Sequence, residues 1–407
     1  MRGPDTLMAT SNEALFDAAV VGAGLAGLSA ALALAETGLR IALVGPCEAA
    51  RAGQDTRTSA LFSGAIRLLQ NLGVAHRGNA EPLRAIRIID DTGRLLRAPE
   101  TLFRAEEIGL DAFGANLTNG PLAVALLDAI GACANITVID TRAVVRIEPR
   151  ADVVALCTTE GRALSARLVA AADGRKSLAR QAAGIACRTW GYDQTAIACS
   201  FAHSRPHEGI SNELHRAAGP LTTVPLPGQR SSLVWVEQPM RARELMSLAE
   251  PDFSRTLETR LGGLLGAIDA PGPRATFELA GLSAATLASN RIALVGEAGH
   301  ALPPIGAQGL NLGLRDVAEL ADCAAANPQD PGAPAVLEAY VKARRTDIWS
   351  RMTAVDLLNR SLLSALLPAQ MVRGAGLHAL NAVGPLRRLV MREGMEPQGA
   401  LPRLMRP

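Results

Sequence analysis

Apolar positions along the chain change period several times, and each change predicts a different element. The run Ala18–Val21 is short and unbroken, as in a parallel strand buried on both faces. Helical spacing follows from about Leu25 to Thr37, Gly38 supplies the stop, and a second apolar run occupies Ile41–Val44. Residues 55–73 again have helical spacing, with Arg57 opening the helix, Arg67 as a solvated residue near its end and Gly73 as its stop. Residues 136–172 alternate like antiparallel strands, with a turn at Glu160-Gly161-Arg162. They end in LVAAADGRKSLAR, an apolar strand that delivers Asp173 at its tip before a helix bearing Ser177 and Arg180.

Between about 188 and 278 the pattern breaks into short strand-like runs (TAIACSFA, GPLTTVPLP, RSSLVWVEQP), with no long amphipathic helix before 241–265. Residues 83–98 have the same character, a hairpin through Asp91-Thr92-Gly93. The pattern predicts an α/β (α+β) chain: a Rossmann-like lobe, an inserted antiparallel sheet walling off a second pocket, and a C-terminal helical segment. The expected boundaries are 1–80, 100–187 and 279–345 for the first lobe. The sheet lobe takes 81–99 and 188–278, and the helical region 346–407.

Composition narrows the chemistry. A chain of 407 residues, 48% of them apolar, can bury two or three lobes. Its net charge of +2 provides no global field for nucleic acid, and aromatic residues at 3% leave the core aliphatic. The six cysteines show no CxxC pair or disulfide framework, and the six histidines no metal-ligand spacing, so no metal is expected. Residues 1–14 lack a signal-peptide pattern, and no apolar run reaches the ~18 residues of a membrane span. A cytoplasmic chain able to touch a membrane surface is the expectation.

Gly22, Gly24 and Gly27 form GxGxxG between the first strand and its helix. The first glycine permits a tight turn, the second a close approach of backbone to a pyrophosphate, and the third close helix–strand packing. Leu25 and Ala26 open the helix, whose amides and dipole face the phosphates. The acid usual at the end of the second strand is replaced by Val44-Gly45-Pro46, which leaves its role to Glu48 reaching back or to backbone and water. No second GxGxxG occurs, so a nicotinamide has no Rossmann lobe of its own. Asp173, at a strand tip, either points into the ligand crevice or caps the following helix. The stretch GEAGHALPPIGAQGLNLG (296–313) packs an acid, a histidine, two prolines and several glycines together, which predicts a ligand wrapped by backbone.

The order GxGxxG (22–27), Arg57, ADGRKSLAR (172–180) and GEAGHALPPIGAQGLNLGLRD (296–316) resembles the single-component FAD-dependent aromatic hydroxylases of the 4-hydroxybenzoate hydroxylase type. YDQTAIACSFAHSRPHEGI followed by GPLTTVPLP is more narrowly similar to the ubiquinone-biosynthesis hydroxylases, and the resemblance covers roughly residues 16–345. It implies bound FAD held by Gly22, Gly24, Leu25, Ala26, Gly27, Arg57 and Asp173. Glu297 would meet the ribityl chain, where Asp is usual, and Gly309, Leu310 and Asn311 would present helix amides to the flavin N1–C2=O region. Pro303 and Pro304 would fix the loop beside the isoalloxazine, with Pro304 and Gln308 as the catalytic positions. His300 is expected to close a turn rather than shuttle protons.

The implied reaction uses NADPH or NADH to reduce FAD and O2 to form a C4a-hydroperoxide, whose distal oxygen attacks a ring carbon. Tyr192, His203 and His215 are the candidates for a group that binds or deprotonates a phenol. Residues 341–407 carry eleven basic residues against four acidic ones, and DLLNRSLLSALLPAQMVRGAGLHAL (356–380) is apolar with spaced arginines. It reads as a helical lid, as a surface docking on anionic lipid, or as both. The expected activity is hydroxylation of a polyprenylated phenol in ubiquinone synthesis at the inner membrane, with other quinone-biosynthesis proteins as possible partners. The alternatives are a different aromatic or lipid substrate, or a non-catalytic scaffold suggested by Gly45 and Glu297.

Overall fold

In the computed structural model, which describes residues 14–74, 80–93, 97–363, 367–395 and 401–406, the early apolar runs lie parallel and adjacent. Ala14–Val21 is flanked by Ile41–Gly45 on one side and Ala163–Ala171 on the other. Ile292–Leu294 and Ile136–Asp140 extend this sheet outwards in the same direction. Residues 136–140 are thus a parallel strand, and only Val144–Pro149, Val154–Thr158 and the start of Ala163–Ala171 form the antiparallel arrangement expected for 136–172. The Leu25–Ala35 helix is buried from Gly27 to Ala35, because it lies between the sheet and two further helices, Asn119–Gly131 and Gln308–Ala325. An all-round apolar helix suits that position.

The stretch expected to be one helix opened by Arg57 is instead a strand, Thr58–Phe62, followed by a helix, Ser63–Asn71. The strand pairs with Gly114–Thr118, which also pairs with Ala80–Pro82. A Cβ on Gly114 would lie 1.9 Å from the Leu61 carbonyl oxygen, so that partner strand needs glycine there.

A second sheet of nine strands holds most of the inserted segment. From edge to edge its main path runs His300–Ala301, Ala275–Ala284, Cys187–His203, Arg230–Glu237, Leu221–Leu226, Ile210–His215, Ala85–Asp90 and Thr101–Arg104. One face is sealed by two helices, Pro239–Ser247 and Glu250–Leu261, over Ile197, Phe201, Leu233 and Trp235. They replace the single helix expected at 241–265: Leu248 and Ala249 are extended, and Pro251 lies in the first turn of the second helix. The outer hairpin also differs from expectation, since the strand that pairs with Ala85–Asp90 lies at Thr101–Arg104; residues 94–96 of the expected hairpin fall outside the described residues.

The C-terminal region divides in two. A long helix, Pro334–Leu363, starts on the first lobe and ends against the second sheet, followed by Leu367–Ala382 and Gly384–Met395. Arg387 fastens the last of these to the sheet edge, bonding Glu107 and the Leu102 carbonyl and lying 4.5 Å from the Phe103 ring centre. Residues 401–406 then return to the first lobe, where Leu404 and Met405 are buried. Arg67, expected to be solvated, donates to the Met405 carbonyl at 2.9 Å, and Asn71 donates to that of Leu404.

Candidate active site

The three glycines at the tip of the first strand have different neighbours. Gly22 has φ +106°, and a Cβ there would sit 2.4 Å from the Ala172 carbonyl oxygen. A Cβ on Gly27 would lie 1.9 Å from the Gly22 carbonyl oxygen, whereas one on Gly24 would meet nothing within 4 Å. Two of the glycines therefore serve the fold, and the third keeps an outward-facing backbone bare. Gly24 is also the helix N-cap and supplies no side-chain cap, so the first amides, including those of Leu25 and Ala26, are open to an external acceptor.

Asp173 meets the helix that follows its strand, as one of its two readings had it. One carboxylate oxygen accepts from the Ala179 amide at 3.1 Å, and the other is buried without a hydrogen-bond partner among the described residues. The second strand ends at Gly45 without an acid, and Glu48 is exposed. Asp140, opposite Gly45 at the tip of the neighbouring strand, accepts from the Cys47 amide at 2.8 Å. This acid was not picked out from the sequence, because the pairing joins segments 93 residues apart.

Residues 296–313 leave one sheet and join the other. After Ile292–Leu294 the chain turns at Gly296, with φ +59°, and His300–Ala301 then pairs with Leu282 and Ser283 of the nine-stranded sheet. A Cβ on Gly313 would lie 3.2 Å from the Gly296 Cα, so helix and turn meet backbone to backbone. His300 Nε2 lies 2.6 Å from Asp316, which is fully buried and also bound by Arg344 at 2.8 Å. His300 therefore ties the turn to the following helix, a longer reach than the local turn closure expected of it. The helix starts at Gln308, one residue before the expected opening, after Ala307 in a left-handed conformation.

Asn311 has a brace role that was not foreseen. Its Oδ1 accepts from the Phe62 amide and its Nδ2 donates to the Ala60 and Ala307 carbonyls, all at 2.7–2.8 Å. Pro303 is buried, Pro304 and Gly309 are exposed, and Leu310 is half-buried. A Cβ on Gly306 or Gly309 would meet nothing within 4 Å, a second bare stretch of backbone facing outwards. Gln308 accepts from Arg351, which also binds Asp347 and the carbonyls of Glu393 and Gly394. Burial opposes ionisation of Asp347, yet Arg344, Arg315 and Arg351 together hold its carboxyl well below the usual range. Burial, joined by neighbouring cations, pulls Arg315 down to about 10.

Charged residues form the rim. Glu297 is exposed and pairs with Arg175 at 3.0 Å, while Arg57 pairs with Asp55 at 2.7 Å. The Asp55 hydrogen bond raises the Arg57 pKa, and the Glu297 charge adds to it. Bare amides at Gly24 and Gly309, glycine-lined backbone and the unpaired acceptor of Asp173 suit a long ligand with phosphates and hydroxyls, and FAD has those groups.

The family model for an FAD binding domain matches residues 16–355. The chain belongs to that family. The ubiquinone hydroxylase UbiL of Rhodospirillum rubrum is 36% identical to it over 97% of this chain and 94% of that protein. The 3-demethoxyubiquinol 3-hydroxylase of Escherichia coli is 28% identical over 92% and 97%. Among solved structures, p-nitrophenol 4-monooxygenase from Pseudomonas putida shares the fold, with a TM-score of 0.75 at 19% identity over 94% of this chain and 98% of that one.

The three residues considered for a phenol occupy separate places in the sheet. The Tyr192 hydroxyl donates to Asp356 and accepts from Trp190, and burial, aided by Asp356, pushes its pKa up to about 12. Both ring nitrogens of His203 are engaged, with the Arg205 carbonyl and the Ser231 hydroxyl. His215 is buried, and its Nε2 has no hydrogen-bond partner among the described residues. A separate cavity of about 810 Å3 opens beside Arg150, Arg291, Leu337 and Arg345. Arg291 is tied there to Asp330 and the Ala151 carbonyl, which gives it a structural role.

Proposed function

We propose that this protein is an FAD-dependent monooxygenase that hydroxylates the ring of a polyprenylated phenol in ubiquinone biosynthesis. The observation that carries the reading is a cofactor cradle built from two uncapped helix starts, in a chain similar along nearly its whole length to ubiquinone hydroxylases. Gly22, Gly24, Leu25, Ala26, Gly27 and Asp173 would hold the nucleotide side of FAD. Gly306, Gln308, Gly309, Leu310 and Asn311 would hold its ring side, with Arg57 and Glu297 at the rim. Bound FAD supplies the redox and oxygen chemistry, with NADPH or NADH and O2 as cosubstrates. The chain orients the two reactants, and the start of the Gln308–Ala325 helix favours negative charge beside it. Pro303 and Pro304 would stiffen the loop at that edge, with the exposed Pro304 beside the reacting atoms in this reading.

The substrate is taken from a membrane surface in this reading. Trp349, Leu357, Met371, Val372, Leu389 and Val390 are exposed, and exposed Arg345, Arg388 and Arg392 lie in the same C-terminal segment. Among the described residues no helix is long and apolar enough to cross a membrane. Apolar side chains interspersed with arginine suit the interface of an anionic bilayer.

Complementation tests the whole reading. The gene is expressed in bacterial strains that each lack one ubiquinone ring hydroxylase, and quinone intermediates are profiled by mass spectrometry. Rescue of at least one strain is expected; rescue of none, from a chain that is yellow and oxidises NADPH, sinks the ubiquinone assignment. Flotation with phosphatidylglycerol vesicles tests the docking surface, which predicts binding that Leu389→Glu with Val390→Glu weakens. Equal flotation of both forms counts against it.

A further inference from the structure

The face of the nine-stranded sheet opposite its two covering helices carries an acid in a cross-strand row that is otherwise uncharged. Cross-strand pairing places Ala198, Val234, Thr222, Glu213 and Ile88 side by side across five strands. All five are half-buried, whereas Ile197, Trp235, Leu221 and Leu214 on the opposite face are sealed. The row is an open stripe on the inner face of the sheet.

Its surroundings make it a groove. In the next row on the same face, Ser232 accepts from Asn116, which stands on the first lobe's Gly114–Thr118 strand. Ile88 and Val224 pack in a cluster with Leu380 and Met391 of the last two helices. Just beyond Met391, the Glu393 carbonyl accepts from Arg351, which also reaches Gln308 at the start of the cofactor-side helix. The stripe therefore lies between the first lobe and the terminal helices, and the last helix links it to the cofactor loop.

Glu213 is the only ionisable residue of the row. His215, two residues along and on the same face, lies 3.7 Å from its carboxylate, and the Nε2 involved is buried without a hydrogen-bond partner. A half-buried carboxylate flanked by Thr222 and Ile88, with Val234 and Ala198 farther along the row, is costly unless it meets a donor. A ring hydroxyl is such a donor, and its apolar ring suits the other positions.

We propose that Glu213 is the catalytic residue that receives the ring hydroxyl of the substrate, with His215 as the positioning residue behind it. This rests on the phenol-hydroxylase reading above. The Glu213 carboxylate accepts the hydroxyl's hydrogen bond and takes its proton as the ring is attacked. The O–H bond of the phenol breaks, one forms on the carboxylate, and the electron pair stays on the phenolic oxygen, where it enriches the ring. The proton returns to that oxygen when the product leaves, so the residue ends unchanged.

The test uses the full chain loaded with FAD and 2-geranylphenol, isotope-labelled at its hydroxyl-bearing carbon and observed by NMR. Bound to the unaltered protein, the label shifts in the direction of phenolate. Glu213→Gln, with normal FAD content, abolishes that shift, weakens binding about tenfold or more, and diverts NADPH oxidation to peroxide. Glu213→Asp restores part of the shift. His215→Asn reduces the shift and lowers kcat with little change in KM. An unchanged shift and unchanged hydroxylation in Glu213→Gln overturn the assignment and leave the enzyme reading intact. Failure of the unaltered protein to bind or hydroxylate this phenol overturns both.

Discussion

The glycine turn at 22–27 and the inner stripe of the nine-stranded sheet prepare for a ligand by opposite means. At the turn, side chains are removed: Gly22 and Gly27 are forced by backbone less than 2.5 Å from where a Cβ would sit, and Gly24 is left bare. On the stripe, side chains from five strands are brought into line, and recognition rests on which of them carries charge. The first arrangement is steric and leaves its mark in six consecutive residues, even though the backbone facing Gly22 belongs to Ala172. The second is defined only by register.

The buried Asp316 ties the 296–313 stretch to the long helix, and its loss is the largest expected effect. Asp316→Asn strips His300 and Arg344 of their shared partner and costs about 3–5 kcal/mol, read as a lowered denaturant midpoint. Asp347 gives the same cluster a pH dependence. Its folded-state carboxyl binds a proton only at lower pH than in the unfolded chain. That contribution is complete above the unfolded value of about 3.9 and is lost as pH falls towards the folded value. Asp347→Asn should flatten the acid limb of a stability-against-pH curve; an unchanged limb would remove Asp347 from the account.

Next in size, Gly27→Ala drives a methyl into the Gly22 carbonyl and costs about 1–3 kcal/mol together with flavin content. Gly24→Ala separates fold from ligand. Its methyl has room, so stability stays within about 0.5 kcal/mol while flavin affinity, measured by titration, falls. Equal effects from the two substitutions would erase the distinction drawn at the turn. Tyr192→Phe removes bonds to Asp356 and Trp190 and costs about 1 kcal/mol in thermal unfolding, with no effect on flavin affinity. A larger loss would show that the long helix depends on that contact more than on packing.

What was legible in the sequence follows the same division. GxGxxG and the strand-tip Asp173 could be read because their residues and the helices they open are close in sequence. Arg57 was placed on a helix because the alternation of Thr58–Phe62 is short, and its partner strand lies at 114–118. Arg67 looked solvated because the carbonyl it binds belongs to Met405. Tyr192 turned out to hold the long helix: the pairing of Cys187–His203 with its neighbour slips between Gly191 and Thr195, and a slip of that kind leaves no local signature. Glu213 becomes notable only when Thr222 and Ile88 are known to flank it.

The stretch 296–313 also limits how the molecule can move. Its start is fixed by the Gly296 amide on Asp316, its middle is an edge strand of the other sheet, and its end is fastened to Thr58–Phe62 through Asn311. A clamshell rotation of the two sheets would have to unzip His300–Ala301 from Leu282 and Ser283, at the place where the cofactor loop begins. Among the described residues the last two helices, by contrast, are joined to the body by side chains alone, through Arg351, Arg387 and the packing of Leu380 and Met391.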